Sequence, residues 1–286
     1  MNKLFFLSIF TIASFFGSAQ IKDYIPKKQK ITTYWTADST IKRSEGYINT
    51  TSFSGVGAKE GRWLFWYKDG QKEEVANYKK GNLHGRVTKY YNNGKRMHDG
   101  WFKDNLQDSI TTSYYENGNI AETGNYIKGE KIGNWKYNYE DGTTFQESNF
   151  KENDTLEYII NFWEPSGKQT IKNGNGKLLT YFNSGKKKEE YKYSNGLKNG
   201  KFTEWNPSGS KKIEGKYVSN EKDGKWIVYF FTSDKIYQET YFKNGLRNGK
   251  FSQYFSSGQE SIKGKYELGK KVGIWEWFYE NGSSDI

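Results

Sequence analysis

The sequence predicts an all-β fold: a tandem β-hairpin repeat array, an elongated, twisted single-layer sheet or solenoid of about ten units of ~24 residues. One observation is a phrase that recurs down the chain: Gly-x-aromatic, a Gly-containing turn, a second aromatic, then x-x-Gly or x-x-Asn. Gly200-Lys201-Phe202, Pro207-Ser208-Gly209, Tyr217 and Asn220 form one copy, and the next begins at Gly224-Lys225-Trp226. A second observation is the spacing, with unit starts at 61, 85, 108, 133, 157, 176, 200, 224, 249 and 273. The third is composition. Aromatic residues make up 18% of the chain while aliphatic ones are scarce, so burial falls to rings that each hide roughly 150–250 Å².

Residues 1–19 read as a signal peptide. Lys3 supplies a positive start, residues 4–16 a short apolar run, and Gly17-Ser18-Ala19 small residues for cleavage before Gln20. The run falls short of the ~20 apolar residues a membrane-spanning helix needs. Export to the periplasm, the cell surface or the medium is therefore expected. The chain has no cysteine, so its fold rests on packing without disulfides.

Residues 20–60 read as an N-terminal cap and linker, with Tyr34-Trp35 and Gly46-Tyr47 as a degenerate end unit and a Ser/Gly-rich stretch at 51–57. Residues 61–156 form a first sub-array. Lys68-Asp69-Gly70, Asn92-Asn93-Gly94, Glu116-Asn117-Gly118 and Glu140-Asp141-Gly142 predict type I′ hairpin turns within its units. The return strand ends on a fixed aromatic such as Tyr78, Phe102 or Tyr126. Three residues later stands only Gly or Asn (Gly81, Asn105, Gly129, Asn153, Gly196, Asn220, Gly245, Gly269), which predicts left-handed backbone at each handover. Leu83, Leu106, Ile132, Leu156, Leu197, Leu246 and Val272 follow, and are expected to plug the gaps between hairpins.

Residues 157–175 form a short unit without the return aromatic, read as a kink. Residues 176–286 form the second sub-array. There Asp234 replaces the turn glycine and predicts a looser turn. The final unit stops just past its turn, leaving an edge that a partner strand would complete.

The formal charge is +11, and residues 176–286 hold most of the excess with 20 basic against 13 acidic side chains. Lys186, Lys187, Lys188, Lys211 and Lys212 form its densest runs. They are candidates for steering an acidic partner, a membrane surface or a cell-wall polymer. The mid-strand aromatics Trp66, Tyr90, Trp205, Tyr229 and Tyr254 fall on the face opposite Trp226-type residues and are the candidate contact ladder. Two histidines, His84 and His98, and no cysteine leave no thiol or His-rich metal chemistry. Adjacent acids such as Glu189-Glu190 point to opposite faces of a strand. Gly55-Val56-Gly57 lacks the third glycine and the helix of a dinucleotide loop. No enzymatic activity, cofactor or nucleic-acid partner is expected.

Gly133-Asn134-Trp135 with Asp141-Gly142, and Gly273-Ile274-Trp275 with Tyr279-Glu280-Asn281-Gly282, resemble the MORN-type repeat, most closely the YwqK-family antitoxin module, over residues 61–282. The resemblance implies stacked hairpins with a binding role: attachment to membrane or protein for MORN arrays, neutralisation of a toxin domain for the YwqK type. A second resemblance, to choline- and glucan-binding wall modules, implies aromatic cages or sugar platforms. The expected function is a non-catalytic exported scaffold that binds another protein in the bacterial envelope. An envelope polymer or lipid binder and an immunity protein are the alternatives.

Overall fold

The computed structural model describes residues 27–37, 40–50 and 57–285, and every regular element in them is a strand. The expected signal peptide lies outside the described residues, as do 20–26 and 51–56 of the cap and linker. A cap hairpin of β1 (Lys27–Tyr34) and β2 (Lys42–Thr50) comes first. Four full hairpins follow: β3 (Ala58–Trp66) with β4 (Lys72–Lys79), β5 (Asn82–Tyr90) with β6 (Arg96–Lys103), β7 (Leu106–Tyr114) with β8 (Ile120–Ile127), and β9 (Glu130–Asn138) with β10 (Thr144–Phe150). The fifth hairpin is short, β11 (Glu157–Trp163) and β12 (Gln169–Lys172). Five more complete the order: β13 (Asn175–Tyr181) with β14 (Lys187–Ser194), β15 (Leu197–Trp205) with β16 (Lys211–Val218), β17 (Glu221–Tyr229) with β18 (Ile236–Lys243), β19 (Leu246–Tyr254) with β20 (Glu260–Glu267), and β21 (Lys270–Phe278) with the two-residue β22 (Ser284–Asp285). Consecutive strands pair antiparallel throughout, giving one open meander of ten hairpins behind a cap.

Two turn chemistries alternate along it. The handover turns are the tight ones: Lys80-Gly81, Asp104-Asn105, Lys128-Gly129, Asn195-Gly196, Ser219-Asn220, Asn244-Gly245 and Leu268-Gly269 all have positive φ at both residues. That is the type I′ signature, and the left-handed backbone expected at Gly81 through Gly269 is present at all eight positions. The turns inside the units are different. Gly70 N–H bonds Tyr67 O at 3.0 Å, Tyr67 N–H bonds Gln71 O at 2.8 Å, and only Gly70 has positive φ. This is a three-residue type I turn with a glycine bulge, not the expected type I′. The Asp or Asn before the glycine serves by accepting a hydrogen bond two residues on, as Asp69 does from Gln71 N–H (2.9 Å), Asn93 from Lys95 and Asn117 from Asn119. Leu106 and Leu246 are half-exposed and lie beside the next handover glycines, Gly129 and Gly269, while Leu83, Ile132, Leu156, Leu197 and Val272 are half-buried.

The core is a line of large rings lying over small residues. A Cβ on Gly46, Gly124, Gly215 or Gly264 would fall 2.3, 2.2, 2.3 or 2.4 Å from the indole of Trp63, Trp135, Trp226 or Trp275. Where the return strand is bulkier, its neighbour is smaller: Ala76 stands opposite Val87 and Thr240 opposite Phe251. Volume is thus conserved across these handovers, as close packing favours, while Tyr191 opposite Phe202 brings two rings together and Gly100 opposite Thr111 brings none. Return-strand rings meet the indoles edge-to-face, with Tyr126–Trp135 at 5.1 Å, Tyr217–Trp226 at 5.1 Å and Tyr266–Trp275 at 5.1 Å. Rings at the same repeat position lie tilted on one another, Phe202 on Trp226 at 5.4 Å and Phe251 on Trp275 at 5.2 Å. Lysines roof them: Lys131 lies 3.7 Å over Trp135, Lys222 4.2 Å over Trp226 and Lys271 4.1 Å over Trp275.

Unit five is a packed joint. Its fully buried Ile171 forms an apolar cluster with Ile159 and Tyr193. Gly174 N–H bonds Ile160 O (2.7 Å), Gly196 N–H bonds Gly174 O (2.9 Å) and Ile159 N–H bonds Gly196 O (2.9 Å). The turn of unit six therefore reaches back across the short hairpin onto β11. The glycine-rich run at 173–176 is stitched into this joint.

Burial, with Glu157 and Tyr217 adding to it, pushes the Tyr193 phenol up to about 12. Tyr229 is also pushed up to about 12, by burial and by its hydrogen bond to Glu214. A raised folded-state pKa gives stability that is whole below the ordinary phenol value of ~10 and is lost as pH climbs toward the folded value. Unfolding between about pH 10 and 12 is expected, with tyrosinate absorbance and far-ultraviolet dichroism changing together. All phenols titrating near 10 on an intact fold would contradict it.

Candidate binding surface

The aromatics Trp66, Tyr90, Trp205, Tyr229 and Tyr254 each end a first strand at a register shift, and all five are half-buried. A lysine covers four of them: Lys42 over Trp66 at 5.7 Å, Lys72 over Tyr90 at 5.5 Å, Lys187 over Trp205 at 5.7 Å and Lys211 over Tyr229 at 5.9 Å. These rings form a ladder, but one roofed by its own cations. The basic runs are engaged too. Lys186 Nζ donates to Ser208 O (3.0 Å), Lys211 pairs with Glu214 (3.1 Å) and Lys212 with Glu204 (2.6 Å); Lys188 is exposed.

A difference between the sub-arrays points to another surface. In the first, a turn tyrosine reaches the next unit: Tyr67 Oη donates to Tyr90 O (2.6 Å), Tyr91 to Tyr114 O (2.6 Å), Tyr115 to Asn138 O (2.7 Å) and Tyr139 to Trp163 O (2.9 Å). Trp35 of the cap begins the series by donating its indole N–H to Trp66 O at 3.0 Å. In units six to nine the equivalent positions are Phe182, Asn206, Phe230 and Phe255, so the phenol peg is lost there, and the last unit returns to a tyrosine, Tyr279. Asn206 is the exception that keeps a long contact, 3.5 Å to Phe231 O.

The eighth unit adds a second departure. Its turn closes from Phe230 N–H to Lys235 O, one residue longer than the others, and its inner bond, Ser233 N–H to Phe230 O, stretches to 3.4 Å. This is the looser turn expected at Asp234. Phe231 holds the exposed turn position that Lys68, Asn92 and Glu116 hold in other units, and so stands in solvent at 68% exposure. Beside it runs a groove of about 380 Å³ walled by Phe230, Tyr237, Tyr254, Phe255, Trp277 and Phe278. Tyr237 and Trp277 are themselves partly exposed. Of the five sequence candidates only Tyr254 enters this groove. The signals for the rest were present, a 25-residue step and a missing turn glycine, but Phe231, Tyr237 and Trp277 were not singled out.

The groove has aromatic walls, a rim of Lys235 and Lys263, and no nucleophile–base pair. Lys263 lies 4.9 Å over Phe278 and bridges Glu276 at 3.3 Å. Among the described residues no three His, Asp or Glu side chains converge as metal ligands. His84 faces Asp104 at 3.4 Å. His98 faces Ser113 (3.4 Å), while neighbouring Asp99 turns to the other face and binds Arg86. Burial, with Lys89 adding to it, holds His98 below its ordinary value and so neutral near pH 7.

The MORN repeat variant family matches residues 59–80, 83–98, 107–128 and 271–283, the first three hairpins and the last, which supports a MORN-type repeat protein. No curated protein matches in sequence. Among solved structures, a crystal structure of TcdB2-TccC3 aligns at 11% identity over 85% of this chain and 16% of that one, with a TM-score of 0.20. Its complex with Cdc42 aligns at 10% identity over 85% and 16%, TM-score 0.17. The form without the hypervariable C-terminal region aligns at 10% identity over 90% and 17%, TM-score 0.15. The chain thus spans about a sixth of those chains' length, and superpositions this poor have no bearing on its function.

Proposed function

We propose that this MORN-type repeat chain is a non-catalytic, exported protein-interaction scaffold of the bacterial envelope, its partner seated in the aromatic groove of units eight to ten. The observation that carries the reading is the groove itself. Aromatic side chains concentrated in one concave, partly exposed site are the usual anchors of protein recognition. The net charge of +7 over residues 176–286, from 20 basic and 13 acidic side chains, favours an acidic partner and speeds encounter. Export rests on the signal-peptide reading of residues 1–19.

The test is capture from the native envelope fraction at low and high salt, using the chain and its Tyr237→Ala/Trp277→Ala variant. One protein held through high salt by the chain and lost by the variant is the expected result. Equal capture by both would remove the groove from the account. The YwqK-type resemblance supports a second reading, toxin neutralisation, which would appear as a one-to-one complex with a single toxin domain. The polymer or lipid reading predicts release by salt. Choline cages in particular are disfavoured, since the chain's own lysines already occupy the ring faces at 3.7 Å over Trp135 and 4.0 Å over Tyr191.

A further inference from the structure

We infer that the outer face of units three to five is a second binding groove, one that takes a linear, uncharged glycan, with Ile110 at its apolar end and the exposed Trp101 on the strand beyond it. It is separate from the aromatic groove and stands or falls on its own observations.

The third unit breaks the repeat at three consecutive residues. Ser109 has φ of 71° where Gly61, Gly85, Gly133, Gly200, Gly224, Gly249 and Gly273 take the same left-handed backbone without a side chain. A serine there costs about 1–2 kcal/mol. Thr111 stands where most units place a large ring and where Val87 and Leu178 are at least apolar, so a Cβ on Gly100 opposite it would meet the His98 imidazole and the Thr111 hydroxyl. Ile110, where most units carry Lys, Arg or Asn, is 56% exposed. Local strain and a forfeited core ring at one spot are features that function retains against stability. On the adjoining strand Trp101 occupies the register shift opposite residues 108–110 and is 49% exposed on the same face.

From Ile110 a groove of about 460 Å³ runs past Thr123, Asn125, Asn134 and Glu147 to Ile160. Its charge pattern differs from the rest of the face. Arg86–Asp99 precedes it, and Lys177–Glu190 (2.7 Å), Lys201–Glu214 (3.1 Å) and Lys225–Glu239 follow it. Between them the cross-strand partners are neutral: Thr112 with Thr123 (3.1 Å) and Asn149 with Asn134 (2.8 Å). The one charged couple, Lys136 opposite Glu147, has no net charge.

A carboxamide places a donor and an acceptor side by side, as vicinal sugar hydroxyls do, and an indole offers a flat face to a pyranose ring. An ionic polymer would find no net countercharge here. A long uncharged glycan finds amides along the groove and an apolar platform at its end.

The test is calorimetric titration of the full chain with two probes, the hexasaccharide of N-acetylglucosamine and cellohexaose. Binding of at least one probe is expected, unchanged between low and high salt, and weakened about tenfold or more by Trp101→Ala and by Asn125→Ala. Both side chains are exposed, so circular dichroism should show the fold intact. Tyr237→Ala should leave sugar binding as it is, which separates this groove from the protein-binding one. No binding of either sugar, or equal binding by the Trp101→Ala and Asn125→Ala variants, would overturn the inference.

Discussion

Alanine at Gly124 is expected to destabilise the chain by about 2–3 kcal/mol, and valine at Trp135 to undo much of that loss. The added methyl would sit 2.2 Å from the Trp135 indole, and Gly124 does not have positive φ, so the penalty is steric alone. Trp135 cannot retreat. It is 1% exposed and wedged between Tyr126, Tyr137 and Phe150. Trp135→Val alone should cost about 3 kcal/mol through the cavity it leaves. Together the two changes recreate the Ala76–Val87 pairing that the chain already uses in its first handover. The double variant should therefore fall well short of the summed losses, with a coupling of about 2 kcal/mol. Urea unfolding, with hydrogen exchange of β8 and β9 to localise the effect, measures it. Strict additivity would mean that the glycine-under-tryptophan packing is not what fixes these positions.

The second large effect is expected at the joint. A Cβ on Gly174 would lie 2.5 Å from Gly196 N and 3.0 Å from the Asn195 carbonyl carbon, backbone atoms that no rotamer change can move aside. Its φ of 76° adds the left-handed cost of about 1–2 kcal/mol. Gly174→Ala should cost about 3 kcal/mol or more. In an array whose stability is a sum of unit and interface terms, a broken interface should also split melting into two transitions, one for each sub-array. Gly185→Ala is the control. Its φ is 79° with nothing within 4 Å of the added methyl, so it pays the backbone term only. Equal losses in the two variants would show that the joint is not close-packed.

The ten hairpins were legible because glycine and ring positions recur with the same phase, and each recurrence has a local cause. Left-handed backbone needs Gly81 or Asn105, and a ring needs a neighbour to roof it. Asn-Gly was a poorer guide. The pair serves equally a type I′ turn and a type I turn with a glycine bulge, and in Asn93-Gly94 the asparagine contributes its carboxamide oxygen, not left-handed backbone. Exposure of the Trp66–Tyr254 ladder was not legible, because the lysines that cover it come from neighbouring units. The aromatic groove gathers Phe230 and Phe255, each of which replaces a Tyr67-type phenol. Neither change means anything until register places it beside Trp277. The glycan groove hides in the same way, in three residues of one unit whose effect depends on Trp101 across the strand.

The central functional claim is that a partner protein seats in the groove of units eight to ten. Its most direct measurement is site-specific photocrosslinking in the native host, with a photoreactive phenylalanine analogue placed singly at Tyr237, Phe255 and Trp277, and at Trp66 as the control. The account predicts one and the same crosslinked protein from the three groove positions and none from Trp66. The same product from all four positions, or none from any groove position, would contradict it.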